Sequence, residues 1–257
     1  MGNGIAGIGV LKTFVAELHL HTVVSPCAGV EMIPPLIVQE AIKRGINILA
    51  ITDHNTTANV EAVQKAATGT GLTVLPGMEL QTTEEVHLLC LFDTLDRMTA
   101  WQTFVDAWMP PLENNIEYFG EQFVVDETGE FIRREKQLLL TSAKISLSEA
   151  VAEVSHLEGL AIPAHVNRSS FSLIANLGFV PFDIPFEALE ISRHVTPAEA
   201  CQKFPQLRQY PLIQNGDVHY LHEFLGSTHF QITAPTIAEM RLAFLKEEGR
   251  SVSIQGV

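Results

Sequence analysis

Short apolar runs alternate with helical patterns along the chain. Thr13 to His21, Ile46 to Thr52, Leu72 to Leu75, Val86 to Phe92, Leu160 to Ala164, Ala188 to Ser192 and Pro211 to Gln214 each read as a strand. Runs of four to eight apolar residues bounded by turn residues suit strands covered on both faces. Between them, Pro34-Pro35 opens a helix that stops at Gly45, and the alanine-rich Thr56 to Ala67 ends before Gly69 and Gly71. Ser146-Leu147-Ser148-Glu149 has capping-box spacing and starts a helix that runs through His156. Pro235 to Glu248 forms a closing helix. Strands alternating with helices predict an α/β fold with parallel pairing through right-handed crossovers, either closed into a barrel or wound as an open sheet.

The alternation breaks once, after the fourth strand. Asp93 to Thr141 predicts helices over Met98 to Trp108 and Leu112 to Phe119, then a hairpin over Phe123 to Arg133 that turns at Asp126-Glu127-Thr128-Gly129. We expect this insertion, about 93–141, to cover a site. With no linker or internal repeat, residues 13–257 are expected to form a single barrel domain, and the glycine-rich residues 1–12 a flexible N-terminus.

Composition narrows the function. At 257 residues, with 46% hydrophobic and 18% charged, the chain has a globular balance. No apolar run approaches the roughly 20 residues of a membrane span, and the start lacks the features of a signal peptide. A cytoplasmic protein with no membrane partner is expected. Cys27, Cys90 and Cys201 lack CxxC spacing, so a metal would rest on histidine and carboxylate. The net charge of -14 opposes sequence-independent binding to a phosphate backbone and points to a small substrate, with nucleic acid disfavoured as a partner.

The polar residues of the strands choose between barrel and open sheet. In Glu17-Leu18-His19-Leu20-His21, the two histidines sit two apart, so they share a strand face and can meet one ion. Asp53-His54, Glu79, His165 and Asp217-Val218-His219 fall at the ends of other strands, and His87 stands near the beginning of the fourth. Only a closed arrangement brings so many strand ends together, at the end where barrel enzymes carry their chemistry. Imidazoles and carboxylates suit zinc, manganese or iron, and eight or nine ligands exceed what one ion uses. Two or three divalent ions are expected, with Glu79 bridging them. Ions roughly 3.5 to 4 Å apart can share a hydroxide nucleophile and clamp the oxygens of an in-line displacement, which fits phosphate ester hydrolysis.

These residues resemble the PHP (polymerase and histidinol phosphatase) family of metal-dependent phosphoesterases. Its HxH motif is His19-Leu20-His21, its DH motif Asp53-His54, its glutamate Glu79 after Pro76-Gly77-Met78, its isolated histidines His87 and His165, and its DxH motif Asp217-Val218-His219. The resemblance implies a distorted seven-stranded (β/α)7 TIM-like barrel with a trinuclear site. One ion would take His19, His21, Glu79 and Asp217, a second Glu79, His87 and His165, and a third His54 and His219. Where some members supply a histidine or aspartate after HxH, this chain has Ser25-Pro26-Cys27, and Cys27 is the expected stand-in.

Arg168, three residues beyond His165, is the expected phosphate clamp, since arginine's planar fork suits phosphate. Arg193 and His194 are further substrate-binding candidates. Asp217 or His219 would protonate the leaving group, and Glu190 would hydrogen-bond a ligand histidine or contact substrate. The leading expectation is a hydrolase of a small phosphomonoester or nucleotide acting through a metal-bridging hydroxide. The alternatives are a nuclease or proofreading-type domain and a non-catalytic, regulatory metal-binding barrel. An amide or lactone hydrolase ranks low, because no strand tip carries a lysine to bridge metals.

Overall fold

The computed structural model describes residues 10–256; the expected N-terminal segment therefore lies mostly outside the described residues. Strands β1 (Lys12–Glu17), β2 (Ile48–Ile51) and β3 (Thr73–Gln81) lie side by side and parallel. The crossovers are α1 (Pro34–Lys43), with proline in its first turn, and α2 (Val60–Ala66). Helix α2 starts four residues later than its alanine content suggests, at Val60 instead of Thr56. The amide and hydroxyl of Thr57 both donate to Gln102, and the Asn59 side chain donates to Thr22 and to the Phe123 carbonyl. Tertiary anchors thus replace the first helical turn.

Strand β4 (His87–Leu91) runs antiparallel to β3, pairing His87 with Gln81. This departs from uniformly parallel pairing, and chain length explains it. Only residues 82–86 separate the two strands, whereas a parallel return needs a crossover of about a dozen residues. The reversal puts the first residue of β4 beside the last residue of β3. His87 therefore comes to the same end of the sheet as Glu79.

The insertion comprises α3 (Leu95–Asp106), the single turn α4 (Ile116–Phe119), and the hairpin β5 (Phe123–Val125) and β6 (Phe131–Arg134). Asp126 shapes the hairpin turn by accepting from the Thr128 and Glu130 amides. Phe123 N donates to Val23 O, and Asn55 Nδ2 donates to the carbonyls of Leu139 and Thr141, so the insertion rests on the loops that follow β1 and β2. Trp101 is buried in its helix, while Trp108 is half exposed.

The alternation resumes with α5 (Leu147–His156), whose Ser146–Glu149 capping box forms as expected, and β7 (Leu160–Pro163), antiparallel to β4. Next come α6 (Leu173–Leu177), β8 (Leu189–Ile191), α7 (Pro197–Lys203) and β9 (Leu212–Gln214), with β8 and β9 parallel. Two further strands flank α8 (Ile237–Leu245): β10 (Thr228–Ile232) adds antiparallel to the outer side of β1, and β11 (Ser251–Ile254) antiparallel to β10. The main mixed sheet has seven strands, in the order β11-β10-β1-β2-β3-β4-β7, and curls into a half-barrel. The pair β8-β9 continues the circuit. Val166 N donates to Glu190 O, while His21 N donates to Val218 O and Val218 N to His19 O. The result is the expected distorted barrel.

Alternation along the strands divides the core. Ala16, Leu18, Ile48, Ala50, Leu75, Leu89 and Ile162 pack in one buried cluster, and Leu49, Ile51, Val74 and Leu88 pack with the helices in another. Among the described residues no helix is long and apolar enough to cross a membrane.

Candidate metal centre

Glu79 lies at the middle of one end of the barrel, 1% exposed. Its Oε1 is 3.1 Å from His19 Nε2, 2.8 Å from His87 Nδ1 and 3.3 Å from His165 Nε2, and its Oε2 is 3.0 Å from His54 Nδ1 and 3.3 Å from His21 Nε2. Asp217 Oδ1 stands 3.3 Å from His19 Nε2 and 3.5 Å from both His21 Nε2 and His219 Nδ1. Among the described residues three groups offer mutually close ligand atoms: His19, His21 and Asp217; His21, His54 and His219; and His54, Glu79 and His87. Six histidines and two carboxylates from six strand ends therefore converge, as the motif spacing predicts.

Hydrogen bonds behind the rings aim them. Glu190 accepts from His19 Nδ1 at 3.0 Å, from His165 N at 2.8 Å and from Asn215 Nδ2 at 2.8 Å. The Ser25 hydroxyl donates to Asp53 Oδ1 at 2.7 Å, so its oxygen accepts from His21 Nδ1 at 3.1 Å. His219 Nδ1 donates to Asp217 O at 2.9 Å. In each of these three rings the Nδ1 proton is committed outward, which leaves the Nε2 lone pair for the centre.

The donor set fits divalent ions. His19 Nε2, His21 Nε2, Glu79 Oε2, His87 Nε2 and His165 Nδ1 are buried polar atoms without a hydrogen-bond partner. Several lie within 3.5 Å of a carboxylate oxygen yet are not aligned to bond it. Buried polar atoms are satisfied in the great majority of cases, so a knot of orphaned lone pairs calls for cations.

The titration behaviour agrees. Burial by itself would raise the Glu79 pKa, but charge on His87, His19 and His54 carries it well below the usual carboxylate range. Asp217 is likewise held ionised against burial by His19 and His21. Burial, reinforced by charge on His21, depresses His54 to about 3 and His219 to about 4. Burial also opposes charge on His19 and His21, but the surrounding carboxylates outweigh it, raising His19 well above its ordinary value and His21 to about 9. The site thus pairs anionic carboxylates with charged imidazoles at His19 and His21 and neutral ones at His54 and His219, so a cation binding at His19 or His21 would displace a proton. His219, neutral at pH 7, offers a lone pair more readily than a proton.

Three expected ligands or substrate contacts sit differently. Asp53 belongs to none of the three groups. Its oxygens are taken by Thr22 N at 2.7 Å, Thr22 Oγ1 at 2.8 Å and Ser25 Oγ, so it braces the loop behind His21. Cys27 is exposed at the rim of the cleft and also lies outside the groups. Arg193 donates to Gly216 O at 3.1 Å and pairs with Glu223 at 2.7 Å, which occupies it in bracing the loop that carries Asp217 and His219.

Arg168 sits at the mouth, 44% exposed in its side chain, with Nη1 2.5 Å from Asp217 Oδ2. That contact uses one of its five N–H groups. His194 is exposed at the rim. The cleft over the centre has a volume of about 620 Å³, and Phe119 and Leu140 bring the insertion to its wall.

Sequence reasoning did not single out Glu17, Ser25 or Asn215. Glu17 is buried and accepts from the amides of Gly216, Leu225 and Gly226 at 2.7, 2.8 and 3.1 Å, fixing the far side of the same loop. Asn215 accepts from Leu18 N and donates to Glu190, which ties β1 to β8 behind His19. A carboxylate beside the HxH histidines was the one available signal.

Comparison with known proteins adds relatives. The PHP domain family model matches residues 17–167. A 5'-3' exoribonuclease of Haemophilus influenzae is 36% identical over 89 residues, covering 33% of this chain and 31% of that protein. The 5'-3' exoribonuclease Rnm of Escherichia coli is 33% identical over 75 residues, covering 28% of this chain and 25% of that protein. The matches thus span about a third or less of these relatives. Among solved structures, the lesion-specific endonuclease EndoQ of Pyrococcus furiosus superposes on 94% of this chain and 58% of its own, with a TM-score of 0.70 and 20% identity. An amidohydrolase of Chromobacterium violaceum superposes on 82% of this chain and 90% of its own, with a TM-score of 0.54 and 20% identity. At that identity both likenesses concern the fold.

Proposed function

The chain belongs to the PHP domain family of metal-dependent phosphoesterases and nucleases, and on that premise we propose that it hydrolyses phosphodiester bonds of single-stranded nucleic acid. The observation that carries the reading is the convergence of five buried histidines on Glu79, with His19 Nε2, His21 Nε2 and Glu79 Oε2 left without hydrogen-bond partners where they meet. The relatives named as ribonucleases favour a nucleic-acid substrate over the small phosphomonoester that acidity suggested, which reverses the order of those two expectations. The net charge of -14 still disfavours duplex, so we assign a short or single-stranded substrate.

On this reading His19, His21, Glu79 and Asp217 hold one ion, Glu79, His87 and His165 a second, and His54 and His219 a third, and Cys27 borders the centre without ligating. Bound divalent ions would activate water and neutralise charge on the phosphoryl oxygens. The chain's own contribution is position and charge. Glu190 and Ser25 hold the ring tautomers, Asp53 braces the loop, and Arg168 directs its free N–H groups at a phosphate oxygen while tethered to Asp217. We read residues 13–257 as one catalytic unit in which the 93–141 insertion walls the cleft.

The test pairs metal content by elemental analysis with phosphate or nucleotide release from oligonucleotides, nucleotides and sugar phosphates, before and after Glu79→Ala. Two or three ions per chain, oligonucleotide cleavage, and loss of both in Glu79→Ala are expected. Turnover confined to monoesters would restore the small-substrate reading. Bound metal without any turnover would favour the regulatory barrel.

A further inference from the structure

Phe171 has no part in the metal chemistry, yet it is built into the centre. Its ring stacks on His87 with centroids 5.0 Å apart and planes 20° from parallel. It is nevertheless 41% exposed and lines the cleft. His87 covers one ring face, and the residue borders the open cleft.

The backbone holds it there at a cost. Phe171 has φ 50, a left-handed conformation that is an outlier for a bulky side chain. Its surroundings over-determine it. Phe171 O accepts from His87 N, and the next residue, fully buried Ser172, donates to Arg168 O and caps α6 by accepting from Ala175 N. The strained residue is therefore clamped between a candidate metal ligand and the arginine-bearing loop. An exposed aromatic ring in that position satisfies no packing requirement of the core.

Charge gives the ring a purpose. Of the arginines and lysines among the described residues, only Arg168 and Arg193 line the cleft, and Arg193 is paired with Glu223. Away from the ions and Arg168, which would engage the one phosphate being cleaved, the cleft offers a polyanionic substrate no unpaired cationic side chain among the described residues. Aromatic stacking supplies affinity to single strands without positive charge, because every base offers a π-face.

We propose that Phe171 is a stacking platform for a nucleobase of the substrate, placed beside the metal centre so that the base sets the position of its phosphate. This deepens the nuclease reading and rests on it.

The test compares a 5'-phosphorylated trinucleotide with the same trinucleotide carrying abasic residues, using the metal-loaded wild-type protein, Phe171→Ala and Phe171→Trp. The wild type should favour the base-bearing substrate in KM, the preference should fall about fivefold or more in Phe171→Ala, and Phe171→Trp should retain it. Binding of a trinucleotide containing 2-aminopurine, read as fluorescence quenching, separates the two levels of inference. Quenching by wild type and Phe171→Trp but not by Phe171→Ala supports the platform even if nothing is cleaved, an outcome that would overturn the proposed function alone. Cleavage with a base preference that survives Phe171→Ala overturns the platform alone. So does a KM that rises equally for both substrates with loss of metal, the sign of a ring that merely shields His87. Neither quenching nor cleavage overturns both.

Discussion

Replacing Glu190 with glutamine preserves volume and removes one acceptor, which makes it a sharp probe of how the centre is held. Glu190 Oε2 accepts from His165 N at 2.8 Å and Oε1 from Asn215 Nδ2 at 2.8 Å, and His19 Nδ1 lies 3.0 and 3.2 Å from the two oxygens. Whichever way the new amide turns, its NH2 faces a donor. Turned toward His165 it opposes a backbone N–H; turned toward Asn215 it opposes an NH2 that cannot flip without losing the bond from Leu18 N. One buried donor is orphaned, costing about 1–3 kcal/mol of stability. His19 also loses the carboxylate charge behind its Nδ1, and substitutions behind a metal-bound histidine typically cost 10- to 100-fold in affinity, about 1.4–2.7 kcal/mol. Titration against a chromophoric chelator reads the affinity, and urea unfolding of the metal-stripped protein reads the stability separately. An affinity within twofold of wild type would refute the assignment of Glu190 as the group that orients His19.

Glu17→Ala strands three backbone amides of the loop bearing Asp217 and His219, and is expected to lose about 3 kcal/mol or more in urea unfolding and to weaken metal binding; unchanged metal affinity would count against the loop's role. Glu239, hydrogen-bonded to Arg250, is held near 2 against an ordinary 4.5. Its contribution, about 1 kcal/mol after allowing for solvent screening, is full above the ordinary value and lost as pH falls toward 2, so the stability gap between wild type and Glu239→Gln should close over that range in pH-dependent urea titrations. A Cβ at Gly159 would meet the buried Phe92 ring at 2.5 Å and Leu91 O at 2.8 Å, so Gly159→Ala should cost about 1–3 kcal/mol in thermal or urea unfolding. Cys27→Ser should leave the number of tightly bound ions unchanged by elemental analysis, since Cys27 stands outside the three ligand groups; loss of one ion would restore it as a ligand.

The ligand histidines were legible because their geometry is local. His19 and His21 share a face through the two-residue period of a strand, and the remaining ligands mark strand ends that barrel closure must gather. Local rules also reached the Ser146 cap, the hairpin at Asp126 and most strand limits. Two features depart from the local reading: the Asp53 oxygens accept from Thr22 and Ser25, and five residues between β3 and β4 forbid a parallel return. Strands β10 and β11 went unread because β10 adds to the outside of β1, a partner more than 200 residues away, and β11 in turn needs β10 to pair with.

What supports the ligands was beyond local reading altogether. Glu190 meets His19 across 171 residues, and Glu17 meets Gly216 across 199. A buried carboxylate looks the same in sequence whether it braces a loop, aims a ring or pairs with an arginine. The division of labour among Glu17, Asp53, Glu79 and Glu190 follows from which donors the closed barrel brings to each. The sequence by itself determined the kind of chemistry, since imidazoles and carboxylates at strand ends suit divalent cations in any closed arrangement. The tertiary structure alone decided which lone pairs remain free for those cations, because hydrogen-bond partners are assigned only once distant strands stand side by side.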